Sequence, residues 1–256
     1  MKRFYRIEHQ GKPRYVVRDD AEAGNARLVE GDIFGDWTQG ASVAMNGQRL
    51  LAPLTPSKIV AIGRNYREHA AELNNPVPVE PLIFLKPPSA IVGPAEPIVI
   101  PPGVGRVDHE AELGVVIGAR ARNVRAEDAS RYVFGLTCVN DVTAREVQKK
   151  DVQFTRAKGF DTFAPMGPCI VTGVDYRVPE GLLVEGWVNG ERRQHGSTSA
   201  LIFSIDYLMA FVSAVMTLLP GDIISTGTPA GVGPLAAGDT VTVKVAHVGE
   251  LTNPVQ

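Results

Sequence analysis

The apolar residues of this chain fall in short runs separated by turn residues, and the runs do not alternate regularly with helical segments. A doubly wound sheet needs that alternation, so a mixed, β-rich α/β fold is the expected class. Residues 58–63 (KIVAIG), 81–87 (PLIFLKP), 110–118 (EAELGVVIG) and 137–143 (TCVNDVT) read as strands. Asn189-Gly190, between 182–188 and 191–196, is the strongest hairpin signal in the chain, because both residues tolerate the left-handed turn conformation. Asn46-Gly47 carries the same signal, and residues 5–17 read as two strands around a Gly-Lys-Pro turn. Helices are expected at 65–74, 121–135 and 144–150. Residues 51–58 (LAPLTPSK) hold two prolines and read as a connector. A boundary near Pro56 divides a small β-rich N-terminal domain, 1–55, from a main domain, 56–256.

Composition excludes several classes. The apolar fraction of 44% and charged fraction of 21% are those of a globular protein. The net charge is −2 and no basic block stands out, which argues against a nucleic-acid partner. The N-terminus has no apolar segment of signal-peptide type. The one membrane-like run, 201–219, is interrupted by Asp206 and opened by Ser204, a good N-cap. Leu208, Phe211, Val212, Val215 and Leu219 form a helical stripe within it, so it reads as a buried amphipathic helix rather than a span. The two cysteines, Cys138 and Cys169, lack metal-site spacing, and a reducing compartment, the cytoplasm, is expected.

The segment 108–118 carries the chemistry. On a strand, residues two apart share a face, so Glu110 and Glu112 project side by side. Neighbouring carboxylates disfavour each other's ionisation unless a cation lies between them. Asp141, at the end of another apolar strand, can supply a third oxygen ligand. Such a set suits Mg2+ or Mn2+, allows Ca2+, and disfavours zinc. By spacing alone, the Glu-x-Glu pair also fits the wet face of an edge strand. Asp141, Arg145 and Gln148 can share one helical face, where Arg145 can bind a carboxylate in bidentate fashion or simply pair with Asp141.

Several ordered segments resemble the fumarylacetoacetate hydrolase family: 62–73 (IGRNYREHAAEL), 81–90 (PLIFLKPPSA), 108–118 (DHEAELGVVIG), 140–148 (NDVTAREVQ), 157–168 (AKGFDTFAPMGP), 188–194 (VNGERRQ) and 221–233 (GDIISTGTPAGVG). The chain is most similar to the short members with a single catalytic domain, which include acylpyruvate hydrolases, oxaloacetate decarboxylases and the isomerase/decarboxylases of homoprotocatechuate breakdown. The resemblance implies a β-sandwich roll with short helices, usually dimeric. It implies metal binding by Glu110, Glu112 and Asp141, and a water-activating dyad of His69 and Glu72 on a lid. It implies substrate contacts from Arg145, Gln148, Lys158 and Thr228, with Thr228 meeting the substrate carboxylate.

The residues fit that chemistry. His69 and Glu72 are neighbours on a helix, and a carboxylate beside an imidazole orients it as a base. Without the resemblance they read as surface residues. Lys158 and Lys86 can each bind an anion, and Lys86 stays open. The glycines of 227–233 lack the Lys-Ser/Thr of a phosphate loop, which excludes nucleotide binding. The expected partner is a small 2-keto acid, cleaved or rearranged through a pyruvate enolate: acylpyruvate hydrolysis, oxaloacetate decarboxylation, or 2-hydroxyhepta-2,4-diene-1,7-dioate isomerisation with decarboxylation of a related tricarboxylate. A metal-stabilised binding protein without activity is the alternative of a different class.

Overall fold

The computed structural model describes residues 1–20 and 25–256. Strands β1 (Lys2–His9), β2 (Lys12–Asp19), β3 (Ala26–Gly31) and β4 (Trp37–Val43) form an antiparallel meander, and β5 (Leu50–Leu51) returns to pair with β1. Next come β6 (Ile59–Gly63), helix α1 (Arg67–Glu72), β7 (Leu82–Lys86), β8 (Ile91–Val92), β9 (Val107–His109), β10 (Ala111–Ile117), β11 (Val133–Asn140) and β12 (Thr143–Ala144). Helices α2 (Arg145–Asp151) and α3 (Thr155–Lys158) precede β13 (Ala164–Thr172) and the hairpin of β14 (Leu183–Val188) and β15 (Glu191–Ser197). Helix α4 (Ile205–Val215), β16 (Ile223–Ser225), β17 (Gly233–Pro234), β18 (Thr240–Val245) and β19 (Gly249–Pro254) complete the fold.

The fold is the expected strand-dominated α/β class. Its largest sheet runs β4-β3-β2-β1-β13-β11-β10-β16-β6-β7, with β8 added beside β13, and is antiparallel except where β16 lies beside β6 and β8 beside β13. Residues 1–55 therefore continue the main sheet through the pairing of β1 with β13, while Ile7, Val16, Ala26, Leu28 and Val43 give them a small core of their own. A second sheet, β15-β14-β18-β19, covers one face of the first.

Every residue of β10 is buried. Leu113, Val115 and Ile117 pack toward the second sheet and α4, whereas Val116 packs with Phe4, Val139 and Ile170 on the opposite face. Burial on both faces explains why this strand reads as a continuous apolar run. It also means that Glu112, on the Val116 side, is enclosed.

Several local expectations are corrected. Residues 121–135 are not an α-helix: a 3-10 turn occupies Ala126–Tyr132 and β11 begins at once, with Asn123 left-handed at φ 53°. The first hairpin turns on Gln10-Gly11 (φ 52° and 71°), one position before the expected turn. Asn46-Gly47 makes a turn but no hairpin, because the following strand pairs with β1 instead of β4. Asn189-Gly190 behaves as expected, with φ values of 51° and 80° joining β14 to β15. Ser204 caps α4 by accepting from Tyr207 N, but the helix ends at Val215, which is 58% exposed. Among the described residues, no helix is long and apolar enough to cross a membrane.

One buried carboxylate ties the connector to this sheet. Asp222 accepts from Ser57 N and Oγ, Lys58 N and Nζ, and Leu219 N. Asp222→Ala leaves those donors unpaired and should cost about 3 kcal/mol. Chemical denaturation measures this, and a loss below about 1 kcal/mol would mean that water replaces the carboxylate without penalty.

Candidate active site and metal centre

The pairing of β10 with β11 assembles the acidic cluster. Ala111 lies opposite Asn140 and Glu112 opposite Val139, so the start of one strand meets the end of the other. Glu110 N donates to Asn140 Oδ1 at 3.0 Å, and Asp141 N donates to Glu110 O at 2.9 Å. Glu110 sits at the joint between β9 and β10, and the two-residue spacing still turns it toward the same side as Glu112. Glu110, Glu112 and Asp141 are all buried, with carboxylate oxygens within 4.8 Å of one another. The wet-edge reading is thereby excluded.

Burial and charge treat the three unequally. The Glu112 carboxyl is pushed up to about 8 by burial and then by Asp141 and Glu110, against donation from Ser225 Oγ and the charge of Lys158; Gly227 N also donates to it. Burial would also raise Glu110, but Lys158 and Arg145 outweigh it and hold its carboxyl well below the usual range. Lys158 Nζ donates to Glu110 Oε2 at 2.8 Å, Asp141 Oδ2 at 2.6 Å and Thr143 Oγ1 at 2.7 Å. Burial alone would lower its pKa, yet Asp141 and Glu110 raise it overall. Lys86 shifts the other way: it is fully buried, and desolvation outweighs its bond to Asp141 Oδ1. Three converging carboxylates, one of which resists ionisation without a further positive charge, fit a hard divalent cation.

His69 and Glu72 lie on the short helix α1 above this cluster. His69 is 4% exposed, and its Nδ1 lies 3.4 Å from Glu72 Oε2. Burial lowers the pKa of the imidazole, opposed by Glu110 and Glu72 and assisted by Arg145. It is therefore neutral at pH 7, and a proton on Nδ1 facing Glu72 leaves Nε2 as the base. Glu72 Oε1 accepts from Gly231 N at 3.0 Å, which fastens the helix to the 227–233 loop.

Arg145 opens α2. Its Nε donates to Asp108 Oδ2 at 2.7 Å, its Nη2 to Glu110 Oε1 at 2.6 Å and its Nη1 to Gln148 Oε1 at 3.1 Å. The Asp141–Arg145 pair that helical spacing allows gives way to Asp108 and Glu110. Thr228 gives its single hydroxyl proton to Ala111 O at 2.8 Å and accepts from Gln194 Nε2 at 2.7 Å. In this conformation that hydroxyl has no proton left for a substrate carboxylate.

One cavity of about 520 Å³ is lined by all nine expected residues: His69, Glu72, Glu110, Glu112, Asp141, Arg145, Gln148, Lys158 and Thr228. Reading by sequence missed Asp108, Thr143, Gln194 and Ser225, which hold those side chains in place, and left Lys86 open. The signal for Lys86 was available. Phe84 and Lys86 occupy the inward phase of β7, and a lysine in the inward phase of an apolar strand needs a buried anion.

The family described as Fumarylacetoacetate (FAA) hydrolase C-terminal matches residues 58–256, and that described as Rv2993c-like, N-terminal matches residues 2–53. Protein Rv2993c of Mycobacterium tuberculosis is 47% identical over 231 residues, covering 90% of this chain and 87% of that protein. A mitochondrial oxaloacetate tautomerase of Xenopus laevis is 45% identical over 249 residues, covering 93% and 78%. The crystal structure of 2-hydroxyhepta-2,4-diene-1,7-dioate isomerase from Mycobacterium marinum is 43% identical and matches with a TM-score of 0.90 over 100% of this chain and 98% of that one. Ordered motifs, a shared fold and a match spanning nearly four-fifths of the residues lead to one conclusion: this chain belongs to the fumarylacetoacetate hydrolase family.

Proposed function

We propose that the chain is a divalent-cation-dependent enzyme that interconverts or cleaves small 2-keto acids through their enolates. The observation that carries this reading is the convergence of a buried carboxylate triad and a His–Glu dyad on one cavity. Glu110, Glu112 and Asp141 hold the ion, Mg2+ or Mn2+ by ligand hardness, with Ca2+ also allowed. When bound, the ion supplies a Lewis acid that polarises the keto oxygen. Arg145 and Gln148 orient the substrate carboxylate. Neutral His69 takes the proton from C3, Glu72 holds its ring, and Lys158 turns the N–H it gives Thr143 Oγ1 toward the developing oxyanion.

Proton transfer at C3, and thus keto–enol tautomerisation, is the leading reading, supported by the oxaloacetate tautomerase relative. Cleavage is the second, and the dyad favours it. If His69 instead takes a proton from water, the same site hydrolyses acylpyruvates, and oxaloacetate decarboxylation releases the same enolate without a water. Turnover of oxaloacetate and acetylpyruvate, with Mg2+ and with EDTA, tests the proposal. Stabilisation by Mg2+ without turnover of either substrate would select a non-catalytic binding protein.

The buried, free cysteines accord with a reducing compartment such as the cytoplasm. We also propose a homodimer. Phe203, Tyr207 and Phe211 stack along α4, with Tyr207 44% exposed and Val215 following, so an apolar stripe faces outward. Light scattering at micromolar concentration should give twice the chain mass of 27.5 kDa, and a monomer overturns this proposal.

A further inference from the structure

Four cations line the cavity: Arg64, Arg145, Lys149 and Lys158. Arg145 and Lys158 already pair with carboxylates of the chain, Asp108, Glu110 and Asp141. The side chains of Arg64 and Lys149 make no ion pair or hydrogen bond with any described residue. A half-buried guanidinium that borders a cavity and has no partner is positioned for an anion from outside the chain.

The backbone explains how Arg64 is held there. It follows the last residue of β6 and is left-handed, at φ 58°, a region that non-glycine residues seldom enter. The next residue, Asn65, is wholly buried and fixes the turn: its Nδ2 donates to Phe203 O and Thr226 O, and its Oδ1 accepts from Phe203 N. Such uncommon conformations persist where surrounding contacts over-determine them, and they cluster at functional sites. Lys149 is an exposed residue of α2, the helix that carries Arg145 and Gln148.

We propose that Arg64 and Lys149 form a clamp for a second anionic group, so that the site selects keto dicarboxylates over keto monocarboxylates. The proposal rests on the function above, in which the 2-keto carboxylate end sits at the triad beside Arg145. The far end of the substrate then meets the two unpartnered cations. Leu73 and Val152 also border the cavity and would suit an alkyl end instead, so the ligand's distal charge decides between the two.

The experiment is calorimetric binding of oxalylglycine, a stable keto-dicarboxylate mimic, and of its glycine-end methyl ester, both at saturating Mg2+. In the wild type the dianion should bind at least about tenfold more tightly than the ester, the scale of one charge-assisted contact. That ratio should fall about tenfold in Arg64→Gln and about threefold in Lys149→Gln, whose side chain is more solvated. Arg64→Lys retains the cation and should keep most of the ratio, which separates charge from a disturbed turn. Raising the salt should lower the dianion's advantage as well. A wild-type ratio near one, or a ratio unchanged in both glutamine variants, overturns the clamp, as does failure of both ligands to bind. Turnover of oxaloacetate and acetylpyruvate decides the function separately: a preserved ratio without turnover keeps the clamp and removes the enzyme.

Discussion

Glu112→Gln should abolish cation-dependent turnover and be less stable than the wild type in Mg2+ but more stable than it in EDTA. In the wild type, the Glu112 carboxyl is pushed up to about 8 by burial and by its acidic neighbours. A cation binds the ionised form, so binding must expel that proton. Mg2+ or Mn2+ affinity should therefore rise about tenfold per pH unit as pH approaches 8 and flatten above it. The glutamine variant should lose this slope together with more affinity than the 10–100-fold that outer partners of a metal site typically cost. Stability without the ion runs in the opposite sense. A carboxyl raised in the fold is favourable when protonated, below its unfolded value near 4.5, and that contribution disappears as pH climbs from there through about 8. At pH 7 to 8 in EDTA, the charge on Glu112 opposes folding by an amount on the order of 3 kcal/mol, so Glu112→Gln should be the more stable protein. In Mg2+ the order inverts, because only the wild type gains the binding free energy. Unfolding midpoints for both proteins, with and without Mg2+, give the four values needed. Parallel shifts in both proteins, or full activity in the variant, would remove Glu112 from the metal site.

The elements legible in the sequence were those governed by local chemistry. Asn189-Gly190 set its hairpin because both residues accept positive φ, and Ser204 capped α4 through its own hydroxyl. The run from Glu112 to Ile117 marked a strand, but its spacing left the wet edge open; burial on both faces, which excludes that reading, comes from the flanking strands β11 and β16 and the second sheet. Expectations failed where tertiary pairing outweighed local preference. Residues 121–135 have helical composition, but Val133 onward is needed as the strand opposite β10, and only a 3-10 turn fits before it. The turn at Asn46-Gly47 has hairpin residues, yet the strand that follows returns to β1 and leaves the outer edge of β4 unpaired. In the site, the ordered family motifs marked the carboxylates and the dyad; by spacing alone the former also read as a wet edge and the latter as surface residues. Which cation pairs with which carboxylate was set by contacts distant in sequence, such as Lys86 with Asp141 and Ser225 with Glu112, and no local pattern encodes these.

His69→Ala should divide the reactions proposed for this cavity. Its imidazole is neutral because burial lowers its pKa from the ordinary histidine value, so the base is ready at pH 7 and the acid limb of its pH–rate profile should lie below about 6.5. Tautomerisation needs that base at C3, and acylpyruvate hydrolysis needs it on water. Both should fall by about 10²–10⁴, the usual contribution of a positioned general base. Oxaloacetate decarboxylation loses CO2 rather than a proton and consumes no water, so it should fall much less. Glu72→Ala should follow His69→Ala on the first two reactions with a smaller loss, since the ring stays but loses its orientation. It should also shift the acid limb lower, because the carboxylate raises the imidazole pKa. Glu110→Gln should damage all three reactions together, because in the proposed mechanism each depends on the cation and on Arg145 and Lys158, which Glu110 holds. The measurement is kcat/KM for each variant on each substrate at saturating Mg2+. An equal loss of all three reactions in His69→Ala would make closure of α1 over the substrate, rather than proton transfer, the role of the dyad. An intact tautomerisation and hydrolysis would return His69 to a purely structural role on a helix already fastened through Glu72 to Gly231.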